Sequence, residues 1–374
     1  MRLPIPPHSR RANYMSATRG LRLRQNSAMS SPASRTSPLI PLALLTLAAA
    51  LLALSVGPVA IPFDKVLGSL IPGIGTQPEP YESATVLHIR APRVVLALLI
   101  GAALAQAGAA MQGLFRNPLA DPGLVGVSSG AALAAVSIIV LGNHTGLFDW
   151  LPQRFALPAA TFAGGLTAAW VVLRLSSSEG YTRVGVMLLL GLAINAIAGA
   201  GIGFLSHIAD DIALRSLTFW MFGSLGKAGW TEIVIATPLL LISLLLLPRR
   251  AQALNALLLG EAEAGHLGVD VEKLKRDLIL LIVLAVAASV SLAGIIGFVG
   301  LVVPNLIRLR SGPDHRQLLP ASALLGALLL TIADIGARLL LAPTELPIGI
   351  LTALVGGPFF IGLLLRNRDS AETL

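Results

Sequence analysis

The sequence predicts an all-α protein that crosses a membrane about ten times. Three observations carry that prediction: composition, the spacing of the apolar segments, and the placement of Lys and Arg. Of 374 residues, 55% are apolar and 12% are charged, with a mean hydropathy of +0.80. Ordinary soluble domains hold about 25% charged residues, so a water-soluble globule is excluded. At roughly 20 residues per spanning helix, the apolar fraction supplies about ten spans.

The apolar segments lie near residues 39–60, 92–115, 123–141, 156–174, 184–205, 231–247, 278–294, 295–309, 318–337 and 347–365. The seventh and eighth are separated by a glycine-rich junction at Gly294 to Gly300. With the amino terminus in the cytoplasm, 20 of the 27 Lys and Arg residues fall on the cytoplasmic side, and 13 still do when the first 37 residues are set aside. Short-loop Lys and Arg set orientation, so ten spans with both termini inside is the predicted topology.

The net charge of +8 comes from one place. Residues 1–37 hold Arg2, Arg10, Arg11, Arg19, Arg22, Arg24 and Arg35 and no acid. A basic charge confined to a tail does not make a nucleic-acid protein. This tail is expected to be cytoplasmic and disordered, with 38–368 as the transmembrane domain. A cleaved signal and a start at Met29 are the alternatives for the tail. The chain has no cysteine, which excludes disulfide frameworks, thiolate metal sites and cysteine nucleophiles.

Small residues four apart, Gly101 with Ala105 and Gly191, Asn195, Gly199 and Gly203, allow close helix approach. Gln106, Gln112 and Asn195 would be costly against lipid, so they should face the bundle or a wet cavity. The stretch 115–123 carries Pro118, Pro122 and Gly123. Proline removes donors, and irregular backbone at membrane depth needs surrounding protein or a cavity. The stretch 249–277 is the longest polar one on the predicted cytoplasmic side. It reads as two small helices joined at Gly265 or Gly268, a knob for a soluble partner.

Several motifs in order resemble one family. Arg90-Ala91-Pro92-Arg93, Gly108-Ala109-Ala110-Met111-Gln112, Arg116-Asn117-Pro118-Leu119-Ala120-Asp121-Pro122-Gly123 and Gly126-Val127-Ser128-Ser129-Gly130-Ala131 are followed by Gly260-Glu261, Leu267-Gly268, Gly297-Phe298-Val299-Gly300-Leu301-Val302-Val303-Pro304, Asp334 to Arg338 and Glu345-Leu346-Pro347-Ile348-Gly349. Together they resemble the FecCD-type permeases of ABC importers for iron chelates, haem and cobalamin, over roughly residues 60–366. The resemblance implies a type II ABC importer permease fold, a homodimer of the permease, two cytoplasmic ATPase subunits and a periplasmic substrate-binding protein, in a bacterial inner membrane.

The same resemblance implies roles for particular residues. Arg90, Arg93 and Arg338 match external arginines that dock acidic knobs of the binding protein, a task suited to the guanidinium fork. Arg338 could instead pair with Asp334 one turn away, and Arg90 and Arg93 could be interfacial snorkels. Gly260, Glu261, Ala264, Leu267 and Gly268 match the ATPase-coupling helices. Asn117, Pro118 and Leu119, with Ser176, Ser177 and Ser178, match the inner gate. The family often has histidine where this chain has Asn305, and asparagine suffices if that side chain only packs or hydrogen-bonds.

The wording of residues 114–130 and 208–220 is closest to haem permeases, with ferric-siderophore and cobalamin permeases as alternatives. No catalytic residue, resident metal or cofactor is expected on this chain. It has no Gly-x-x-x-x-Gly-Lys-Ser/Thr loop, so ATP and Mg belong to the partner ATPase. His88, His144 and His207 read as interfacial rather than as iron ligands. A secondary transporter would need midplane coupling groups, and a membrane enzyme would need a nucleophile or metal cluster. The sequence shows neither.

Overall fold

In a computed structural model, the structure describes residues 38–71, 73–145, 153–178, 180–226 and 229–371. The basic tail expected at 1–37 lies outside the described residues. Each of the ten apolar segments falls on a helix. These are α1 (Leu39–Ser55), α4 (Ala91–Leu114), α5 (Val127–Thr145), α6 (Gln153–Ser176), α7 (Val184–Ile208), α9 (Trp230–Leu246), α12 (Val271–Ala293), α13 (Val299–Ser311), α14 (His315–Leu339) and α15 (Ile348–Ala371). Six helical stretches are long and apolar enough to cross a membrane, while α1, 127–142 and 348–363 are shorter apolar helices.

Among the described residues there are also five short α-helices: α2 (Phe63–Leu70), α3 (Pro80–Ala84), α8 (Asp211–Met221), α10 (Ala251–Leu258) and α11 (Glu261–His266). A π-helical turn, Thr85–Arg90, joins α3 to α4, and a 3-10 turn, Pro122–Val125, precedes α5. Helices α2, α3 and α8 have no counterpart among the predicted apolar segments, because they are too short and mixed for a spanning signal. One departure from pure helix is a hairpin, β1 (Ser177–Ser178) paired antiparallel with β2 (Tyr181–Thr182).

Aspartates start several of these elements. Asp210 accepts from Ala213 N at 2.7 Å, Asp270 from Lys273 N at 3.0 Å, Asp314 from Arg316 N at 3.0 Å and Asp121 from Gly123 N at 2.8 Å. Each satisfies a backbone donor that the first turn leaves open.

Helix α4 is the axis of the bundle, buried almost all round between Leu96 and Leu114 and packed by α9, α12, α13 and α14. The small residues explain the closeness. A Cβ on Gly101 would collide with Gly326 O of α14, and one on Gly108 with Gly300 O of α13. Gln112 is buried and its Nε2 donates to Leu301 O at 3.3 Å, and Gln106 is buried too. Both amides point into the bundle. The other small-residue row splits: a Cβ on Gly191 would strike Leu124 O, Asn195 pairs with Ser129, and Gly199 and Gly203 face open space.

The predicted breaks occur where expected. Helix α12 ends at Ala293, Gly294 has φ +73°, and Phe298 is left-handed at φ +67° before α13 begins. The knob is two short helices, but its hinge is neither Gly265 nor Gly268. Gly265 lies inside α11 and Gly268 (φ +85°) closes it, whereas the joint is Gly260 at φ +131°. That backbone region is open to glycine and strained for other residues. Composition alone does not distinguish the three glycines.

Candidate functional site

The residues singled out in the sequence gather at two opposite ends of α4, which as a 24-residue helix is about 36 Å long. At its first turn the π-helical segment delivers Arg90 and α4 delivers Arg93. The last turn of α14 delivers Arg338. All three are buried. Arg90 Nη1 donates to Leu54 O at 2.8 Å and Ser55 O at 2.7 Å, while its Nη2 reaches Val59 O. Gly57 makes room for that guanidinium, since a Cβ there would stand 2.9 Å from Arg90 Nη2.

Asp334 sits between the other two arginines. Its Oδ1 accepts from Arg93 Nε at 2.7 Å, and its Oδ2 lies 3.1 Å from Arg338 Nε. Arg338 Nη1 also donates to Ala53 O and Val56 O, each at 3.1 Å. The second fork of Arg93 donates to Glu345 Oε1 at 2.7 Å. The side chain of Glu345 is 46% exposed, against 1% for Asp334. Three arginines against two carboxylates leave one excess positive charge, and the exposed edge of the cluster is Glu345. The pairing of Arg338 with Asp334 is the intramolecular alternative that the sequence left open, whereas the snorkel alternative for Arg90 and Arg93 does not hold, because both guanidiniums are buried, one on backbone carbonyls and the other on two carboxylates. In the sequence Glu345 stands out only as part of the Glu345-Leu346-Pro347-Ile348-Gly349 motif.

The other end of α4 runs into the loop expected at the inner gate. Arg116 is left-handed at φ +49°. Asn117 Oδ1 accepts from Leu119 N at 2.9 Å, closing an Asx turn across Pro118. Asn305 of α13 donates through Nδ2 to Pro118 O at 2.9 Å, and its Oδ1 accepts from Arg308 Nη1 at 2.9 Å. The amide at the family's histidine position therefore hydrogen-bonds to the loop and needs no titration to do so. Asp121, at the end of this loop, has its carboxyl pushed up by burial, against the Gly123 N–H that favours its charged form.

The residues expected at the ATPase contact lie at the same end. Helix α10 is fastened to α14 through Asn255, whose Nδ2 donates to Asp314 Oδ1 at 2.7 Å and whose Oδ1 accepts from His315 N at 2.9 Å. The imidazole of His315 fills the space beside Gly113. Asp314 has its carboxyl held below the usual range, chiefly by the Arg316 side chain, then by the Arg316 N–H and the Asn255 amide, which together outweigh partial burial. In α11, Ala264 is buried, whereas Leu259 and Leu267 at its two ends are 67% and 64% exposed. Ser176 ends α6 and Ser177 opens the hairpin. Among the described residues, no hydrogen bond or ion pair joins that hairpin to Asn117, Pro118 or Leu119.

A signal that sequence reading missed lies between α11 and the hairpin. Lys275, in the first turns of α12, is 3% exposed. Its Nζ reaches Glu261 Oε2 at 2.7 Å, Glu272 Oε1 at 2.9 Å and Thr182 O at 3.4 Å.

Comparison with known proteins identifies a family and several relatives. The model of the FecCD transport family matches residues 45–366. A hemin transport system permease protein of Yersinia pestis, HmuU, is 49% identical over 286 residues, covering 76% of this chain and 84% of that protein. A cobalamin import system permease protein of Halobacterium salinarum, BtuC, is 44% identical over 290 residues, covering 77% and 75%. A solved structure described as a metal-chelate type ABC transporter in an inward-facing conformation superposes with a TM-score of 0.76 at 31% identity, covering 88% of this chain and 98% of that one.

Proposed function

This chain belongs to the FecCD transport family and is a permease subunit of an ABC importer; on that premise we propose that it carries haem across the inner membrane. The observation that carries the choice of cargo is the 49% identity, over most of both chains, with a hemin permease. The 44% identity with a cobalamin permease keeps cobalamin as the second reading, and a ferric siderophore is the third.

The working assembly is two copies of this chain, residues 38–368 of each forming the transmembrane domain, with two cytoplasmic ATPase subunits and a periplasmic binding protein. ATP and Mg are bound and used on the ATPase. Both termini lie in the cytoplasm. Apolar side chains exposed along α7 (Leu189, Leu192, Ile197, Phe204) and the open faces of Gly199 and Gly203 support a second copy packing there.

In this reading Arg90, Arg93 and Arg338 receive acidic groups of the binding protein. The excess cation of the cluster supports it, as does the exposure of Glu345, whose place on Arg93 an incoming carboxylate can take. Gly260, Glu261, Ala264, Leu267 and Gly268 form the ATPase contact, supported by the apolar Leu259 and Leu267 exposed on an otherwise polar stretch. Asn117, Pro118 and Leu119, with Ser176 and Ser177, form the inner gate.

Growth of a deletion strain and its complemented parent on haem, or on a ferric siderophore, as sole iron source tests the cargo, with cobalamin uptake measured alongside. Loss on haem alone is the expected result. Loss on the siderophore alone, or of cobalamin uptake alone, overturns the choice of haem and keeps the importer.

A further inference from the structure

We infer that Lys275 is the positioning residue that ties the ATPase-facing helix α11 to the hairpin at the inner gate, so that movement of one is passed to the other. The inference rests on the reading of 260–268 as the ATPase contact and of Ser176 and Ser177 as part of the gate.

A lysine at 3% exposure is uncommon, because burial of an ammonium is costly unless it is paired. Here it is paired from three elements. Glu261 belongs to α11, Glu272 to α12 itself, and Thr182 to β2, with Nζ at 2.7, 2.9 and 3.4 Å from their oxygens. Glu272 then accepts from Thr182 N at 2.8 Å, so that residue of the hairpin is held by both its N–H and its C=O. Among the described residues, every hydrogen bond from the hairpin to a separate element runs through Lys275 or Glu272.

The surroundings leave space beside the hairpin and a glycine joint at α11. A cleft of about 520 Å³, lined in part by Arg174, Ser177, Gly180 and Lys273, lies beside the hairpin. Gly180 at the turn has φ +82° and nothing near where a Cβ would stand. On the other side, α11 is hinged at Gly260 (φ +131°) and closed at Gly268 (φ +85°), and the side chain of Glu261 is 46% exposed. A helix hinged at a glycine and a short hairpin with an open turn are thus linked through one ammonium anchored in a packed helix. A displaced Glu261 must either draw Lys275 with it or leave a buried charge short of a partner, and unpairing a buried charge is strongly unfavourable. That penalty makes the link stiff.

The chain has no cysteine, so a Ser177→Cys reporter can be labelled alone. In the complex with its ATPase in lipid nanodiscs, the rate of maleimide labelling at position 177 is measured without nucleotide and with MgATP and vanadate. In the reporter parent the two rates differ. Adding Lys275→Met is expected to abolish the difference while the ATPase still co-purifies, and Lys275→Arg is expected to keep it. A full nucleotide response in Lys275→Met overturns the inference, as does loss of ATPase co-purification in that variant, which would make Lys275 a support of α11 rather than a link. Glu261→Gln cuts the α11 leg and, where the ATPase still co-purifies with that variant, is expected to reduce the response. If Lys275→Met does not accumulate, an undiminished response in Glu261→Gln overturns the inference instead. A parent with equal rates overturns the gate reading itself, an outcome distinct from a responsive parent with a responsive Lys275→Met.

Discussion

Arg93 and Asp334, 241 residues apart in the chain, are joined by a 2.7 Å hydrogen bond from Nε to Oδ1 in the buried end of the bundle. Asp334 also faces Arg338 at 3.1 Å. Removing this carboxylate leaves two buried guanidiniums short of an anion, which costs roughly 3–5 kcal/mol for buried pairs of this kind. Asp334→Ala should therefore lower the melting temperature in detergent sharply. A melting temperature matching the parent would show that the pair does not hold α4 against α14.

Glu345 is the expendable member of the same cluster. Its side chain is half exposed although Arg93 is buried, and Arg93 keeps Asp334 when Glu345 is neutralised, so the loss should stay near the roughly 1 kcal/mol of a solvent-facing pair and Glu345→Gln should melt close to the parent. It should also free one fork of Arg93. If an acidic group of the binding protein takes that fork, Glu345→Gln binds the binding protein a few-fold more tightly in a titration at low salt, by the same roughly 1 kcal/mol. Unchanged or weaker binding would remove Arg93 from the docking surface.

The amide of Asn305 holds Pro118 O and is itself held by Arg308. Asn305→Leu removes a buried donor and acceptor together and leaves the loop carbonyl unpaired, a cost of about 1–3 kcal/mol. Transport should fall in that variant. Asn305→His restores a ring N–H donor and should keep transport with no new pH dependence between pH 6 and 8. A new pH dependence there would show that protonation at this position affects the loop at Pro118.

Much of this architecture was legible in the sequence because membrane spans are written in long apolar runs, and all ten runs fall on helices. The breaks at 115–123 and 294–298 were legible through proline and glycine. What was not legible depends on partners distant in sequence. Lys275 reads as one more cation at the solvated start of a helix until Glu261 and Thr182 are brought beside it. Arg90 reads as an exposed docking group until the carbonyls of Leu54, Ser55 and Val59 close around it. The hinge at Gly260 rather than Gly265 is set by backbone angles that three nearby glycines could equally supply. The tight glycines could be proposed as packing sites, but which of them touch this chain and which face outward required the fold.

That division among glycines is testable. A Cβ at Gly108 meets the backbone of Gly300, so Gly108→Ala must push α4 from α13, and overpacking of this kind costs about 1–3 kcal/mol. Gly203 has nothing within 4 Å of a Cβ. If two copies pack on this face, as proposed, Gly203→Leu should leave the melting temperature of the single chain unchanged and lower the dimer fraction measured by crosslinking or mass photometry. An intact dimer would move the contact between copies away from this face of α7.

Asp314 sets the pH behaviour of the α10 to α14 junction. Its carboxyl is depressed in the folded chain, first by the Arg316 side chain. A depressed carboxylate contributes stability that is present above its unfolded value, about 3.9, and is lost as pH falls through the lower folded value. Asp314→Asn keeps an acceptor for the helix cap but loses the charge. The stability difference between parent and variant should therefore be constant from pH 5 to 8 and shrink only below about pH 4. The pair with Arg316 is largely solvent-facing, so the difference is small and should fall further in high salt, as exposed pairs do. A difference that instead varies between pH 5 and 8 would assign the effect to another group at the junction, with the buried His315 the first to replace.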